Sequence, residues 1–345
     1  MSSDRRVILE RIADEAGVSV RTVQRVLAGA LKETRPSSIR RATQIREIAA
    51  RYRYLPNTAA RAVRTGRFNT VALLSSFDPV RKVMFPGMLW ALQAGLRRRD
   101  VQLVMGQIPD NEPTTRLELP KFLREWAVDG LMIYYNRRMP SGVSRAIMQF
   151  NLPAIWLNMK RSADCVFPDD KNAAVRATEL LIERGHRDVA LFSFSTGDHY
   201  SHLDREEGYR EAMRRHAYPE RVIRVGPNIP MGERLDAARA WLRETAGKRP
   251  TGLVMYEQRD AVPVFTACLA EGVRVPEDLS IVVLHDSMLD IVGRPIDTMV
   301  IPAEDLGRIG IEMLMKKIDA PEVELPPRPL PFHYREGVTV ADRAP

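Results

Sequence analysis

The chain has 345 residues, 45% of them apolar and 28% charged, enough for about two domains with a sizeable core. Its net charge is +8, yet residues 1–67 carry 15 Lys/Arg against 6 Asp/Glu, while residues 68–345 carry 37 against 38; a basic head on a near-neutral body points to nucleic acid or an anionic membrane surface. Two cysteines, Cys165 and Cys268, exclude a disulfide framework and a zinc ribbon; there is no apolar run of 18 residues and no secretory signal, so a cytoplasmic location is expected.

Ile8, Leu9, Ile12, Ala13 and Ala16 recur at helical spacing. Gly17 interrupts them, because it alone adopts φ > 0 at no cost. Ser19 is suited to cap a second helix, whose Val23, Val26 and Leu27 share one face. Two short helices around Ala16-Gly17-Val18-Ser19 have the form of a helix-turn-helix. A third helix follows Pro36, with Ser37 or Ser38 as its cap and Ile39, Ala42, Ile45, Ile48, Ala49 and Tyr52 as its apolar stripe. Three such helices can enclose a core and leave the polar side of the second free for a groove. That side holds Val20, Arg21, Thr22, Gln24 and Arg25. Arg pairs bidentately with guanine and Gln with adenine, whereas Ser19 and Thr22 suit phosphate.

From Val71 short apolar runs alternate with helices. Strands are expected at 71–75, 101–105, 130–134, 154–157, 189–192, 222–225, 252–255 and 280–284. Helices are expected at 86–98, 173–184, 205–216, 235–245 and 262–271. This alternation predicts parallel sheets covered on both faces, in two doubly wound halves with a cleft between them. The chain has no G-x-G-x-x-G, P-loop, H-E-x-x-H or G-x-S-x-G pattern. His199 and His202 lack a carboxylate cluster, so no metal and no cofactor are expected.

The segment Tyr54-Leu55-Pro56-Asn57-Thr58-Ala59-Ala60-Arg61-Ala62-Val63, taken with Ala16-Gly17-Val18-Ser19 and Thr22-Val23-Gln24-Arg25-Val26-Leu27, resembles the LacI/GalR family of bacterial transcription regulators. The body supports the likeness through Arg205-Glu206-Glu207-Gly208-Tyr209, the run from Gly272 to Ser280, and Pro302-Ala303-Glu304-Asp305-Leu306-Gly307. The resemblance covers nearly the whole chain and implies an all-α helix-turn-helix head with a hinge helix, then an α/β periplasmic-binding-protein-like body of two doubly wound parallel-sheet subdomains. The implied divisions are a head at 1–54, a hinge at 55–69 and an effector-binding and dimerisation body at 70–345. Within the body, the N-subdomain would take about 70–162 and 297–328, and the C-subdomain about 163–296 and 329–345.

The resemblance also implies site residues. Ser19, Val20, Arg21, Thr22, Gln24 and Arg25 would meet DNA, joined by Asn57, Arg61 and Arg64 of the hinge. Val63 would wedge into the minor groove, where Leu is usual. Gln24 stands where Ser is usual, Ala28 where Asn is usual, and the segment from Leu27 to Tyr54 is about four residues longer than usual, which bears on the operator sequence. In the cleft, Phe77, Asp78, Phe85, Arg205, Glu257, Gln258, His285 and Asp286 occupy the family's effector positions. Glu257-Gln258 replaces its Asn-Asp, and His285 its first Asp, so the ligand's identity is not carried over. His285 beside Asp286 raises the expectation of pH-dependent affinity.

The expected protein is therefore a homodimeric, non-enzymatic regulator, a repressor of palindromic operators in the bacterial cytoplasm and nucleoid, tuned by a sugar or related metabolite. An α/β enzyme with an accessory DNA-binding head and a ligand-free architectural dimer are the alternatives. The proline-rich run Leu325–Phe332 gives no leucine heptad for a tetramerising coiled coil.

Overall fold

The computed structural model describes residues 2–27, 35–54, 66–76, 84–108, 121, 125, 127–135, 141–149, 152–194, 197, 199–226, 229–288, 290–291 and 293–343. The chain divides into two units, Met1–Asn69 and Thr70–Pro345.

The first unit holds helices α1 (Ser2–Glu15), α2 (Val20–Leu27) and α3 (Pro36–Arg51). Ile12, Ala13, Val23, Val26, Ala42, Ile45, Ile48 and Ala49 are buried together, with Val18 packed against them from the turn. Gly17 has φ +61°, the left-handed conformation expected of it. Ser19 Oγ accepts from Thr22 N at 3.2 Å, satisfying one donor that the start of α2 leaves open. The start of α3 differs from expectation. The helix begins at Pro36 itself, and Ser38 folds back from its first turn, accepting from Arg35 N at 3.2 Å and donating to Arg35 O at 2.7 Å. Proline costs no hydrogen bond at the first helical position, so the helix starts earlier than the serine pattern suggests.

The second unit runs β1 (Thr70–Ser76), α4 (Pro86–Arg97), β2 (Gln102–Ile108), β3 (Gly130–Tyr134), α5 (Ser141–Gln149), β4 (Ala154–Leu157) and β5 (Cys165–Pro168). It continues through α6 (Asp170–Glu183), β6 (Val189–Ser193), α7 (Tyr200–Arg215), β7 (Val222–Arg224), α8 (Arg234–Glu244), β8 (Gly252–Met255), α9 (Gln258–Glu271) and β9 (Ser280–His285). After the short antiparallel pair β10 (Asp290–Ile291) and β11 (Arg294–Pro295) come β12 (Thr298–Val300), α10 (Ala303–Asp319), β13 (Arg328–Leu330) and β14 (His333–Arg335).

Two sheets result, ordered β13-β5-β4-β3-β1-β2 and β14-β12-β9-β8-β6-β7. All neighbours pair in parallel except β14, which runs antiparallel to β12. Alternate strand residues serve opposite faces. In the first sheet Val71 and Leu73 meet Leu92 of α4 and Leu306 and Leu314 of α10, while Ala72 and Leu74 join Ile133 and Trp156 on the other face. In the second, Phe192 and Leu253 meet Trp241 of α8 and Phe265 of α9, while Leu191 and Val254 meet Leu181 of α6 and Tyr209 of α7. Helices α6 and α7 cross closely because Gly208 leaves room for the backbone of Lys171, which a Cβ would strike.

Strand pairing moves the expected subdomain limits. Cys165–Pro168 pairs with β4 and so belongs to the first sheet, whereas Thr298–Val300 pairs with β9 in the second. Residues 328–330 return to the first sheet and 333–335 to the second. The chain thus crosses between sheets near 168–170, 300–303 and 330–333. These strands are only three or four residues long, too short for apolar periodicity to reveal. Helices α6, α7 and α9 begin a turn or so before expectation, because their first residues (Asp170-Lys171, Tyr200–Asp204, Gln258-Arg259) are mostly polar and lie outside the apolar stripe.

Candidate functional site

In the head, α2 turns Val23 and Val26 inward, so the 3.6-residue period turns Arg21, Gln24 and Arg25 outward, and all three are exposed. Among the described residues, no hydrogen bond or ion pair engages them. Val20 and Thr22 are half-buried, with Thr22 Oγ1 2.9 Å from Ser19 Oγ. Arg51 of α3 pairs with Glu15 at the end of α1, away from that face in sequence and in charge. An Arg-Gln-Arg surface on the helix after the turn can offer its donors to base edges, and the Ser19–Thr22 end can offer hydroxyls to phosphate. Asn57, Arg61, Val63 and Arg64 lie outside the described residues.

In the body, the carboxyl ends of the strands gather polar and aromatic side chains. Phe85, the residue before α4, meets Tyr134 at the end of β3 edge-on, with centroids 6.1 Å apart. Asn158, just past β4, donates to Tyr134 Oη at 3.4 Å. His199, the cap of α7, accepts on Nδ1 from Ser201 N at 3.4 Å. Its Nε2 therefore carries the proton and donates to Asn158 O at 2.8 Å, tying the second half to the first. Ser201 Oγ is 2.6 Å from Tyr256 Oη, and the His202 ring stacks on Tyr256 at 3.9 Å. Burial pushes the His199 imidazole below its ordinary pKa and the Tyr256 phenol above its own.

Arg205 closes this chain of contacts. It is 6% exposed, donates to Asp170 Oδ1 at 2.7 Å and to Tyr256 O, and lies over the Tyr256 ring at 4.5 Å. Glu257 precedes α9 and accepts from Arg259 at 2.9 Å; Gln258 is the first residue of that helix. At the end of β9, His285 Nε2 is 2.9 Å from Asp286 Oδ1, and the hydrogen bond from His285 holds the Asp286 carboxyl below its usual range. Phe85, Arg205 and Glu257 thus belong to one contact chain, while His285 and Asp286 form a pair of their own at the neighbouring strand. Phe77 and Asp78 lie outside the described residues.

A second buried pair lies beneath Glu257. Asp260 is fully buried, accepting from Ser193 Oγ at 2.9 Å and from Arg234 Nη1 at 3.0 Å. Pro263 lacks an N–H, so the Arg259 carbonyl loses its helical donor and takes Arg234 instead, at 3.3 Å. Burial, then the charge of Glu257, push the Asp260 carboxyl upward, against the Ser193 hydroxyl and Arg234. Sequence reasoning missed Tyr134, Asn158, His199, Tyr256, Arg234 and Asp260. Aromatics ending an apolar run read as core, and Asp260 reads as an ordinary acid in a helix's first turn. Among the described residues no cluster of three or more His, Cys, Asp or Glu is placed to hold a metal, and no helix is long and apolar enough to cross a membrane.

The periplasmic binding protein-like domain family matches residues 178–339. The transcriptional regulator CelR of Thermobifida fusca is 28% identical over 338 residues, covering 94% of this chain and 95% of its own. The lac repressor dimer bound to operator and the anti-inducer ONPF superimposes with a TM-score of 0.75 at 18% identity, over 96% of this chain and 98% of that one. A CelR–cellobiose complex does so with a TM-score of 0.63 at 21% identity, over 96% and 99%. A helix-turn-helix head followed by this two-sheet body, with likeness to regulators along nearly its whole length, makes the chain a member of the LacI/GalR family of bacterial transcription regulators.

Proposed function

We propose that this chain is a homodimeric repressor that binds a palindromic operator through its head and is tuned by a small molecule in the cleft of its body. The observation that carries the reading is the outward row Arg21, Gln24 and Arg25, left without partners among the described residues, on a helix braced from behind by Val23 and Val26. Two such heads would read half-sites related by two-fold symmetry, and Asn57, Arg61, Val63 and Arg64 would follow into the minor groove. The effector is a sugar or related metabolite, as the CelR–cellobiose likeness supports. It would lie between the Phe85–Tyr134–Asn158 side and the Tyr256–Glu257 side, with His285, Asp286, Phe77 and Asp78 at the rim. Arg205 would act there through Tyr256 and Asp170, since two of its nitrogens are already engaged. Effector affinity that differs between two arrangements of the halves would shift the DNA equilibrium. The work is done in the cytoplasm, on the nucleoid, and involves no bond-making chemistry.

Selection of sites from a random DNA pool by the full chain tests the core of this reading. A palindrome with a flexible central step is the expected outcome. Recovery of no sequence preference would reduce the head to a general DNA anchor.

A further inference from the structure

Helices α4 and α10 lie side by side on the first sheet and run in the same direction. A Cβ on Gly87 would touch Glu304, one on Gly307 would touch Ala91, and one on Gly95 would touch Ile311. This close approach leaves an outward groove of about 540 Å³ along the pair. Trp90 stands at its wall and is 71% exposed, although a Trp of this size is normally mostly buried. The groove's charges are sorted by sign. Glu304 and Asp305 line the end where both helices start, and Arg98 and Arg99 the end where α4 stops. Between them Arg308 is occupied by Asp305 at 2.8 Å and Glu312 at 3.1 Å. Among the described residues no ion pair engages Arg98 or Glu304.

The geometry points to this groove as a contact surface for a second copy of the chain, docked antiparallel about a two-fold axis with Trp90 of each protomer in the groove of the other. A surface with its acidic end opposite its basic end is complementary to itself only when turned through a half rotation. Arg98 of one protomer then meets Glu304 of its partner, and the reverse, so each pair forms twice. The lining carries three basic and three acidic side chains, so no net charge opposes self-association or favours a highly charged partner. The large aromatic beside a concave, mixed-charge lining is the composition of an interface core. The inference rests on the dimeric reading proposed above and names the face.

Sedimentation equilibrium of the full chain tests it, with Trp90→Asp, Arg98→Glu, Glu304→Arg and the Arg98→Glu/Glu304→Arg double variant. All four positions of change are on the surface, and circular dichroism checks that the fold is kept. Trp90→Asp is expected to weaken dimerisation at least about 30-fold. Each single charge reversal should weaken it, and the double variant should recover the wild-type value. An unchanged dimer in Trp90→Asp overturns the assignment and leaves the groove to some other partner. Weakening by both reversals without recovery overturns the antiparallel register. A wild-type chain that stays monomeric on palindromic DNA as well as off it overturns the dimeric reading itself, and this inference with it.

Discussion

The head and the body use arginine in opposite ways. In the head, Arg21 and Arg25 are exposed and, among the described residues, engaged by nothing, while an apolar core alone closes the three helices. In the body, Arg205 and Arg234 are nearly sealed from water and each is bonded to a buried aspartate, and the outer arginines Arg210, Arg214, Arg215 and Arg243 pair with glutamates. A cation that must meet a phosphate or a base has to be left available, since a prior partner would have to be displaced. A cation that organises the interior has to be bonded, since an unpaired charge there is very costly. The +9 and −1 of the two segments are the bulk expression of this division.

The division can be broken at its strongest point by Asp170→Ala. This strands Arg205 without its carboxylate and should lower the body's stability by about 3–5 kcal/mol. All four tryptophans lie beyond residue 69, so tryptophan fluorescence during urea unfolding reads the body alone. A loss below about 1 kcal/mol would show that the pair does not organise the interior.

Arg21→Ala should do the reverse. Operator affinity should fall by about 1–3 kcal/mol with relaxed preference at one or two base pairs, at unchanged urea midpoint. Equal weakening on all sequences would reassign Arg21 to the phosphate backbone. Ser19→Ala sharpens the head's side of the comparison, because there a hydroxyl rather than a charge secures the helix end. Removing that cap should cost about 1 kcal/mol, visible as faster hydrogen exchange of α2 amides with the body's exchange unaltered.

The smallest effect concerns pH. Burial depresses the pKa of His199, and of His186 beside Ala341 and Thr251, below the value each has when unfolded. The unfolded chain then takes up protons first, so stability is complete above about pH 6.5 and falls as pH drops below it. A pH series of urea midpoints from 8 to 5.5 should show this fall, with a shallower slope in His199→Gln. Identical slopes would mean that His199 is not held neutral. Affinity for an effector over the same range tests the separate expectation placed on His285.

The head was legible almost residue by residue, because its cues are local: a turn glycine, a capping serine and a 3.6-residue stripe. Only the start of α3 moved. The larger strands of the body were legible too, as unbroken apolar runs. What escaped was non-local. Thr298–Val300 is a strand because β9 lies on one side and His333–Arg335 on the other, and nothing in three residues announces either partner. The site divides the same way. Arg205 and Glu257 stood out by resemblance, but the aspartates, the tyrosine carbonyl and the histidine that hold them come from positions up to 52 residues away, brought together by strand order.

The chain's three passages between the sheets bear on how the gene can be cut. A stop codon after residue 300 removes β13 from one sheet and β14 from the other, together with α10, which covers the first. No truncation therefore yields one intact half, and a late nonsense allele should behave like loss of the whole body. The one boundary that interrupts neither sheet falls before Thr70. Fusion of the head to a foreign sensor, or of this sensor to a foreign head, has its natural junction there.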